Sequence, residues 1–284
     1  MEVFKEINPL KSYLKTFRSK GKQIGLVPTM GALHEGHLTL VEKSNQENDL
    51  TVCSIYVNPT QFNNKGDLSN YPRELENDLK LLKQNGCDVV FVPSDEVMYP
   101  NPVKMKLSFG HLETTMEGAF RPGHFTGVGI IVSKLFNITE PDRAYFGQKD
   151  LQQFLVIKQL VSDMAFDVEL RCVEIIREDD GLAKSSRNLR LSAEDRKKSI
   201  ILLQALQRGK SLLLNGGTVE TCKLEVSQMM DIPNVSLEYF EVVEANNLTP
   251  LTNISDNINV ALCVAAFVGE VRLIDNIIFR SKKE

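Results

Sequence analysis

The sequence predicts an α/β protein in which a doubly wound parallel sheet is followed by a smaller α+β domain. Five short apolar segments rich in β-branched residues lie in the first 176 positions, helical patterns separate them, and the pattern changes after Arg177. Short apolar runs are typical of strands buried on both faces, and their alternation with helices favours a parallel, Rossmann-like sheet. We expect a first domain over residues 1–177 and a second over 178–284.

The predicted elements follow from hydrophobic period and from helix start and stop signals. In the first domain, strands are predicted at residues 23–27, 51–57, 88–92, 143–146 and 168–176, and helices at 38–48, 72–84, 126–136 and 151–164. Pro72 suits a first helical turn and Gly86 suits a helix end. In the second domain we expect a turn at 178–181, helices at 192–214 and 219–230, and strands at 236–243, 259–267 and 271–279. Glycine and proline predict a shaped loop at 117–125.

Composition excludes several classes of function. The 284 residues are 42% hydrophobic and 25% charged with a net charge of −4, so a broad basic surface for nucleic acid is not expected. The longest apolar run, residues 260–268, is shorter than the ~20 residues that span a bilayer, and residues 1–17 lack a signal-peptide core, so no membrane partner is expected. Five scattered cysteines without a CxxC pair predict reduced core residues in a cytoplasmic protein.

The most informative motif is PTMGALHEGH, residues 28–37, at a predicted strand-to-helix junction. A helix start offers unpaired N–H groups and partial positive charge, which suits a nucleoside triphosphate. Gly31 and Gly36 would let phosphate approach the backbone, and His34 and His37 could donate hydrogen bonds to oxygens that gain charge. Two structural histidines or a metal pair are alternatives, although the spacing is not that of HExxH.

Two further clusters carry cations. Lys184, Ser185, Ser186 and Arg187 follow the turn, and together they could hold a pyrophosphate, although a solvated loop has the same composition. The other cluster, GQKD at residues 147–150, follows the fourth predicted strand. Its lysine could reach a phosphate, while its aspartate could simply cap the next helix.

Neutral amides follow the second and fourth predicted strands. Asn58, Gln61 and Gln153 suit a small substrate with hydroxyl and carboxylate groups, although ordinary surface polarity would explain any one of them. Ligands of doubly wound sheets bind beyond the carboxyl ends of the strands, where these amides are expected.

Taken together, the motifs resemble the pantothenate synthetase (pantoate–β-alanine ligase) family. The matching runs, in order, are PTMGALHEGH, SIYVNPTQF, YPRELENDLKLL, EGAFRPGHFTGV, AYFGQKDLQQ, DDGLAKSSRN and VRLIDN. The resemblance implies a cytoplasmic homodimer that makes pantothenate, a coenzyme A precursor, from pantoate and β-alanine. ATP is the implied co-substrate and carries Mg²⁺, and the resemblance implies no prosthetic group and assigns no metal ligand to the protein. A pantoyl adenylate would form with loss of pyrophosphate, and the β-alanine amine would then expel AMP.

The resemblance also implies residue roles. His37, as proton donor, His34, Lys149 and Arg187 would be catalytic, and Gln61 and Gln153 would bind pantoate, with Gln61 also near β-alanine. The implied ATP-binding residues are Met30, Gly31, Ala32, Leu33, His34, Glu35, Gly36, His37, Gly147, Gln148, Lys149, Asp150, Ile176, Lys184, Ser185, Ser186 and Arg187.

One position departs from the family, and two other functions stay open. The family commonly has Met or Leu where this chain has Lys184, so we expect a modest effect of this cation on ATP affinity. Another adenylyl or cytidylyl transferase would keep the nucleotide site with a different acceptor. A non-catalytic nucleotide-binding protein would need the phosphate-handling residues to be lost, and they are present. For a dimer interface, the edge at 51–57 and the helices of the first half are candidates.

Overall fold

The computed structural model describes residues 1–63 and 65–281, which form two compact units. The first unit comprises Met1–Gly147 and Gln153–Glu174, and the second comprises Gln148–Gln152 and Ile175–Glu284. The chain leaves the first unit after Gly147, returns at Gln153 and leaves again after Glu174.

The first unit contains a six-stranded sheet whose strand pairs are all parallel. Its strands are β1 (Glu2–Phe4), β2 (Ile24–Thr29), β3 (Leu50–Ile55), β4 (Val89–Phe91), β5 (Arg143–Gly147) and β6 (Glu169–Val173). Their order across the sheet is β1-β4-β3-β2-β5-β6. The predicted parallel α/β sheet is thus confirmed. β3 lies inside it, so the expected free edge at 51–57 is wrong, because β2 and β4 occupy both of its sides.

Helices connect these strands. They are α1 (Ile7–Arg18), α2 (Glu35–Glu47), α3 (Lys65–Ser69), α4 (Leu75–Gln84), α5 (Asp95–Met98), α6 (Met116–Phe120), α7 (His124–Thr139) and α8 (Leu151–Asp163). One apolar core contains side chains of β2, β3, β4 and β5 together with Leu40 and Val41 of α2 and Leu82 of α4. On another side, α7 contacts β2 and α1.

Several predicted boundaries need correction. α4 begins at Leu75, so Pro72 is not in its first turn, whereas Gly86 has a φ of +75° just after the helix end, as expected. The region 117–125 is not wholly a loop, because Met116–Phe120 is helical and α7 already begins at His124. Both β1 and α1 were absent from the sequence prediction. The strand expected at 168–176 is only Glu169–Val173.

The far end of α2 is tied to the sheet by an ionic network. Glu47 accepts hydrogen bonds from Arg171 Nε at 2.8 Å and from Tyr145 Oη at 2.9 Å. Burial opposes ionisation of Glu47, but hydrogen bonds from Arg171, Lys43 and Tyr145 outweigh it and hold its pKa at about 2. These contacts fix the axis of the helix whose other end carries the histidine motif.

The second unit contains helices α9 (Ala193–Lys198), α10 (Ile201–Leu214) and α11 (Val219–Met230) and an antiparallel sheet of β7 (Val235–Glu244), β8 (Asn259–Val268) and β9 (Val271–Arg280). Its core includes Leu202, Leu206 and Val226 from the helices and Leu262 and Val264 from β8. The α+β prediction is confirmed, although the helix expected over 192–214 is divided into α9 and α10. Ser192 caps α9, as its position predicts, by accepting from Asp195 N at 3.0 Å.

Cysteine burial follows the prediction at four of five positions. Cys53, Cys87, Cys222 and Cys263 are buried, as expected for core residues. Cys172 is exposed, because it lies on β6 at the outer edge of the first sheet. Its assignment to the core is therefore wrong.

Candidate active site

The loop between β2 and α2 is shaped by backbone strain and by one buried carboxylate. Gly31 and Ala32 have φ angles of +79° and +50°, in the left-handed region. Asp78 of α4 accepts hydrogen bonds from Ala32 N at 2.9 Å and Leu33 N at 2.8 Å. Because Asp78 is only 1% exposed, these N–H groups are its compensation for lost hydration. Asp78 therefore holds the loop in a conformation that Ala32 would not choose alone.

Burial makes the charged form of Asp78 less favourable. Burial raises the pKa of Asp78, while the hydrogen bonds from the Leu33 and Ala32 N–H groups oppose that rise. The net direction is upward, so the folded protein holds a proton on this carboxyl more readily than the unfolded chain does. A carboxylate kept at this cost indicates that the loop geometry, rather than packing alone, depends on it.

The two histidines stand together at the start of α2. His34 is the N-cap residue, and reciprocal side-chain-to-backbone contacts with His37 form a capping box. The His34 N–H approaches His37 Nδ1 at 3.4 Å, and the ring centroids are 4.1 Å apart. Both imidazoles therefore lie at the positive end of the helix, where negative charge is stabilised.

Neighbouring protein atoms lie close to both Gly36 and Gly31. A Cβ at this position would lie 2.9 Å from His34 Cε1 and 3.0 Å from His34 Nδ1. A Cβ at Gly31 would lie 2.9 Å from Asp78 Oδ2 and 3.1 Å from Ile55 Cγ2. Protein contacts therefore already favour glycine at both positions, and the approach of a phosphate to the backbone there stays a prediction.

Gln61 is buried and oriented by its neighbours. Its Oε1 accepts from Asn58 Nδ2 at 3.1 Å, and Asn58 Nδ2 also donates to the Gly127 carbonyl at 3.2 Å. A carbonyl can only accept, so the Asn58 amide has one orientation and Gln61 must turn its oxygen toward it. The Gln61 Nε2 group therefore faces Met30 Sδ, at 3.1 Å. The structure thus joins Met30 to Gln61, and Gln61 presents donors on that side.

Hydroxyl groups complete the support of Asn58. Its Oδ1 accepts from Tyr99 Oη at 2.6 Å and from Thr60 Oγ1 at 3.0 Å. His124, which is 5% exposed, contacts the Gln61 carbonyl through Nδ1 at 2.9 Å. Residues of three different motifs therefore hold one glutamine.

The remaining first-unit candidates lie at and after the end of β5. Gly147 is the last residue of β5, and no atom lies within 4 Å of where its Cβ would be. Gln153 is a half-buried residue in the first turn of α8. The ends of parallel strands meet at one edge of a sheet, so these residues share an edge with Met30 and Gln61.

In the second unit, Gln148, Lys149 and Asp150 form a short 3-10 turn that contacts β9. Asn276 of β9 donates through Nδ2 to the Gln148 and Lys149 carbonyls, at 3.0 Å each. The Gln148 side chain donates back to Asn276 Oδ1 at 3.1 Å. The backbone that carries Lys149 is thereby fixed.

The candidate phosphate-binding segment at residues 184–187 follows a tight turn at 178–181, as predicted. Lys184 N donates to the Ile176 carbonyl at 2.9 Å, and the residues next to them, Arg177 and Ala183, form an isolated antiparallel bridge, so Ile176 and Lys184 lie on two short segments that run side by side. The Lys184 ammonium lies 3.5 Å from Glu178 Oε2, and its side chain is 16% exposed. Lys184 is thus neither directed into open solvent nor unopposed in charge.

Ser185, Ser186 and Arg187 begin another short turn, Ser186–Arg190, which also contacts β9. Ser185 Oγ accepts from the Arg187 N–H at 3.3 Å, and Ser186 is buried. Within the second unit, the turn carrying Lys149 and the turn carrying Arg187 therefore pack on the same strand.

Three residues with clear positioning contacts had no role in the sequence prediction. Asp78 lies in YPRELENDLKLL, and Asp275 and Asn276 lie in VRLIDN. The only signal in the sequence was their presence in those runs, because each acts through residues distant in the chain.

Comparison with known proteins identifies the family. The sequence model of the family described as pantoate-beta-alanine ligase matches residues 2–278. The chain belongs to the pantoate-beta-alanine ligase family. It is therefore an enzyme of the ligase class that forms an amide bond.

Relatives cover nearly the whole chain. A pantothenate synthetase of Bacteroides thetaiotaomicron is 48% identical over 280 residues, which are 99% of each chain. The crystal structure of pantothenate synthetase from Thermus thermophilus has a TM-score of 0.91 at 40% identity, covering 98% of this chain and 99% of its own. Pantoate-beta-alanine ligase of Francisella tularensis, solved with beta-gamma ATP and β-alanine, has a TM-score of 0.81 at 33% identity, covering 98% and 97%.

Neither a metal-binding cluster nor a membrane-spanning helix occurs in the described part of the chain. Over residues 1–63 and 65–281, no three His, Cys, Asp or Glu side chains are grouped so that they could hold a metal ion. Nor does any helix in that part of the chain have the length and apolar character needed to cross a bilayer.

Proposed function

We propose that this ligase condenses pantoate with β-alanine to pantothenate in two ATP-dependent steps. First, a pantoate carboxylate oxygen attacks the α-phosphorus of Mg-ATP, the bond to the leaving phosphate breaks, and pyrophosphate and pantoyl adenylate form. Second, the neutral β-alanine amine attacks the acyl carbon, the bond to AMP breaks, and the amine loses a proton. The observation that carries this proposal is the pair of imidazoles at the start of α2, 4.1 Å apart, on a loop that Asp78 holds.

Each group has a chemical task in the first step. His34 and His37, with the helix start behind them, stabilise charge that moves onto the phosphate oxygens, and His37 donates a proton. Lys149 and Arg187 bind the phosphates, and the hydroxyls of Ser185 and Ser186 supplement them. Because little covalent chemistry is needed from protein in phosphoryl-type transfer, positioning and charge account for most of the rate.

The remaining ATP contacts and the acid subsite follow from the same assignment. The backbone of Ile176 meets adenine, and Gly147, Gln148 and Asp150 hold the ribose and phosphates. Gln61 and Gln153 bind pantoate. The fixed amide of Gln61 supports this, since its Nε2 donors suit hydroxyl and carboxylate oxygens.

The test follows the products. Purified protein with ATP and pantoate should release pyrophosphate and hold adenylate, and adding β-alanine should yield AMP and pantothenate in equal amounts. Exchange of labelled pyrophosphate into ATP should require pantoate. ADP as product would contradict the proposal, and pyrophosphate release with another acid but not pantoate would favour a different transferase.

We also propose a cytoplasmic homodimer. The support for a dimer is the resemblance of the motifs to a dimeric family, together with the outer edge of β6, which pairs only with β5 among the described strands. The support for the compartment is that all five cysteines, which lie in the described part, are thiols. Light scattering should give twice the monomer mass of 31.9 kDa, and a mass of one chain at working concentration would contradict the dimer.

A further inference from the structure

The motif VRLIDN ends in two buried polar residues that the proposed chemistry does not use. Asp275 and Asn276 of β9 are 4% and 3% exposed. The side chains of adjacent residues in a strand point to opposite faces of the sheet. Asp275 therefore lies in the row of Leu273 and Ile277, which belongs to the apolar core, and Asn276 lies on the other face.

Asn276 uses its whole amide on one short turn. Its Nδ2 donates to two carbonyls, those of Gln148 and Lys149, and its Oδ1 accepts from the Gln148 side chain. Because carbonyls only accept, this amide has one orientation. No other side-chain type of the same size offers two donors and one acceptor in this arrangement, so the contact specifies asparagine.

Asp275 uses its carboxylate on the segment that leads to the second phosphate cluster. Arg177 donates to Asp275 through Nη1 at 2.7 Å and Nη2 at 3.0 Å, and Nη1 also donates to the Gly181 carbonyl at 3.0 Å. The residue after Arg177 begins the turn, and Lys184 pairs back to Ile176. The ion pair therefore fixes the base of the hairpin from which Lys184 to Arg187 continue.

Packing alone does not explain these residues. The core-facing neighbours of Asp275 on β9 are apolar, and a buried ion pair is often no more stabilising than apolar residues of similar volume. A bidentate arginine–carboxylate pair instead gives geometric definition. What this dipeptide provides is the relative position of two backbone segments.

We propose that Asp275 and Asn276 are positioning residues that set the spacing between Lys149 and the Ser185–Arg187 segment for a bound triphosphate. The inference rests on the proposed function, in which both segments bind the phosphates. Neither side chain needs to touch ATP. Each acts by holding, on one rigid strand, the backbone from which a phosphate-binding cation extends.

The first experiment uses Asn276→Asp, which keeps the shape but removes both amide donors and places a charge against two carbonyls. We expect the KM for ATP to rise about 10–100-fold, because a displaced Lys149 loses its charge-assisted hydrogen bonds to the phosphates, while the KM for pantoate stays within about threefold. Asn259→Asp is the matched control, because Asn259 is exposed at the start of β8. If Asn276→Asp does not fold, Asn276→Ser takes its place in the experiment, because it removes the amide without adding a charge.

A double-mutant cycle separates positioning from general stability. In a Lys149→Ala background, Asn276→Asp should raise the KM for ATP by less than about threefold, because the residue through which it acts is gone. Asp275→Asn should likewise lose most of its effect in an Arg187→Ala background. Equal effects in both backgrounds would overturn the proposal.

Equilibrium binding of ATP without pantoate distinguishes this proposal from the proposed function. If the wild type binds ATP but shows no pantoate-dependent pyrophosphate exchange, the proposed ligase chemistry is contradicted. The double-mutant cycle can then still be measured from the ATP dissociation constants. Wild-type ATP affinity in Asn276→Asp would refute the positioning role, whatever the reaction is.

Discussion

Replacing Asp78 by asparagine should destabilise the β2–α2 loop and weaken ATP binding together. The carboxylate accepts from Ala32 N at 2.9 Å and Leu33 N at 2.8 Å, both buried. An asparagine oxygen can accept from one of these N–H groups, but its NH₂ then faces the other donor. The substitution keeps volume and shape, so a change in behaviour reports the loss of the second acceptor and of the charge.

The magnitude follows from these two contacts. A hydrogen bond to a charged group contributes about 1.5–3 kcal/mol, and an unsatisfied buried donor costs about 1–3 kcal/mol. Asparagine also removes the buried charge of Asp78, whose pKa is raised by burial, and this regains part of the lost stability. We expect a net loss of about 2 kcal/mol in unfolding free energy, and about 2–4 °C in Tm per kcal/mol for a domain of this size. Asp78→Ala, which leaves both donors unsatisfied, should lose more.

The pH dependence has a definite sign. Burial raises the pKa of Asp78, so between the unfolded and folded pKa values the folded protein binds more protons than the unfolded chain. Stability from this group therefore falls as pH rises through that window and is regained as pH falls. The advantage of wild type over Asp78→Asn should consequently widen from pH 7 toward pH 4.

The assay combines thermal unfolding at several pH values with the KM for ATP and for pantoate. Glu76→Gln is the matched control, because Glu76 is an exposed carboxylate of the same helix α4. We expect the KM for ATP to rise at least about tenfold, since the loop carries the proposed ATP-binding residues, whose hydrogen bonds to phosphate are lost when the loop moves. An Asp78→Asn protein as stable as wild type, with unchanged KM for ATP, would refute the reasoning.

Four other substitutions test the site. His37→Ala should slow pantoate-dependent pyrophosphate release ~10²–10³-fold with little change in pantoate affinity, and an intact burst rate in rapid-quench measurements would contradict its role. Gly36→Ala should slow pyrophosphate release, because its Cβ would lie 2.9 Å from the His34 ring and displace it. Its Tm should stay the same or rise, because alanine favours the helix more than glycine does. Unchanged rates would show that the position of the His34 ring does not matter. Lys184→Met should raise the KM for ATP by no more than about threefold, because Glu178 at 3.5 Å already opposes its charge, and Glu178→Gln should lower that KM. A tenfold rise for Lys184→Met would mean that the ammonium leaves Glu178 for the phosphates.

Sequence patterns predicted the layers of this fold better than its ends. Strands buried on both faces, such as β3, are recognisable because every residue is apolar or small. β1 and α1 were missed because β1 is only three residues long and the charged residues around it hide its pattern. The short helix Met116–Phe120 was missed because neighbouring Gly and Pro signal a turn. The glycine at 118 instead allows a close approach of the preceding turn, since a Cβ there would lie 2.4 Å from the Glu113 backbone.

Candidate site residues were recognisable where the chemically relevant residue types lie close together in sequence. The histidines of α2 and the lysine after β5 stand at strand ends, where a parallel sheet collects ligands. The orientation of the Gln61 amide was not predictable, because it depends on Asn58 and on the carbonyl of Gly127, which is 69 positions from Asn58 in the chain. Asp78 and Asn276 were hidden for the same reason, since each contacts backbone groups far from it in sequence.

The passage of the chain between units limits how this protein can be cut. Residues 148–152 belong to the second unit, although the segments that precede and follow them in the sequence belong to the first unit. A fragment that ends at residue 177 would therefore retain the lysine turn but lack the asparagine that orders it. Expression of residues 1–177 alone should yield a turn without its support, and residues 178–284 alone would lack the turn, so an exchange of the second unit of this chain has to include residues 148–152 along with the C-terminal region.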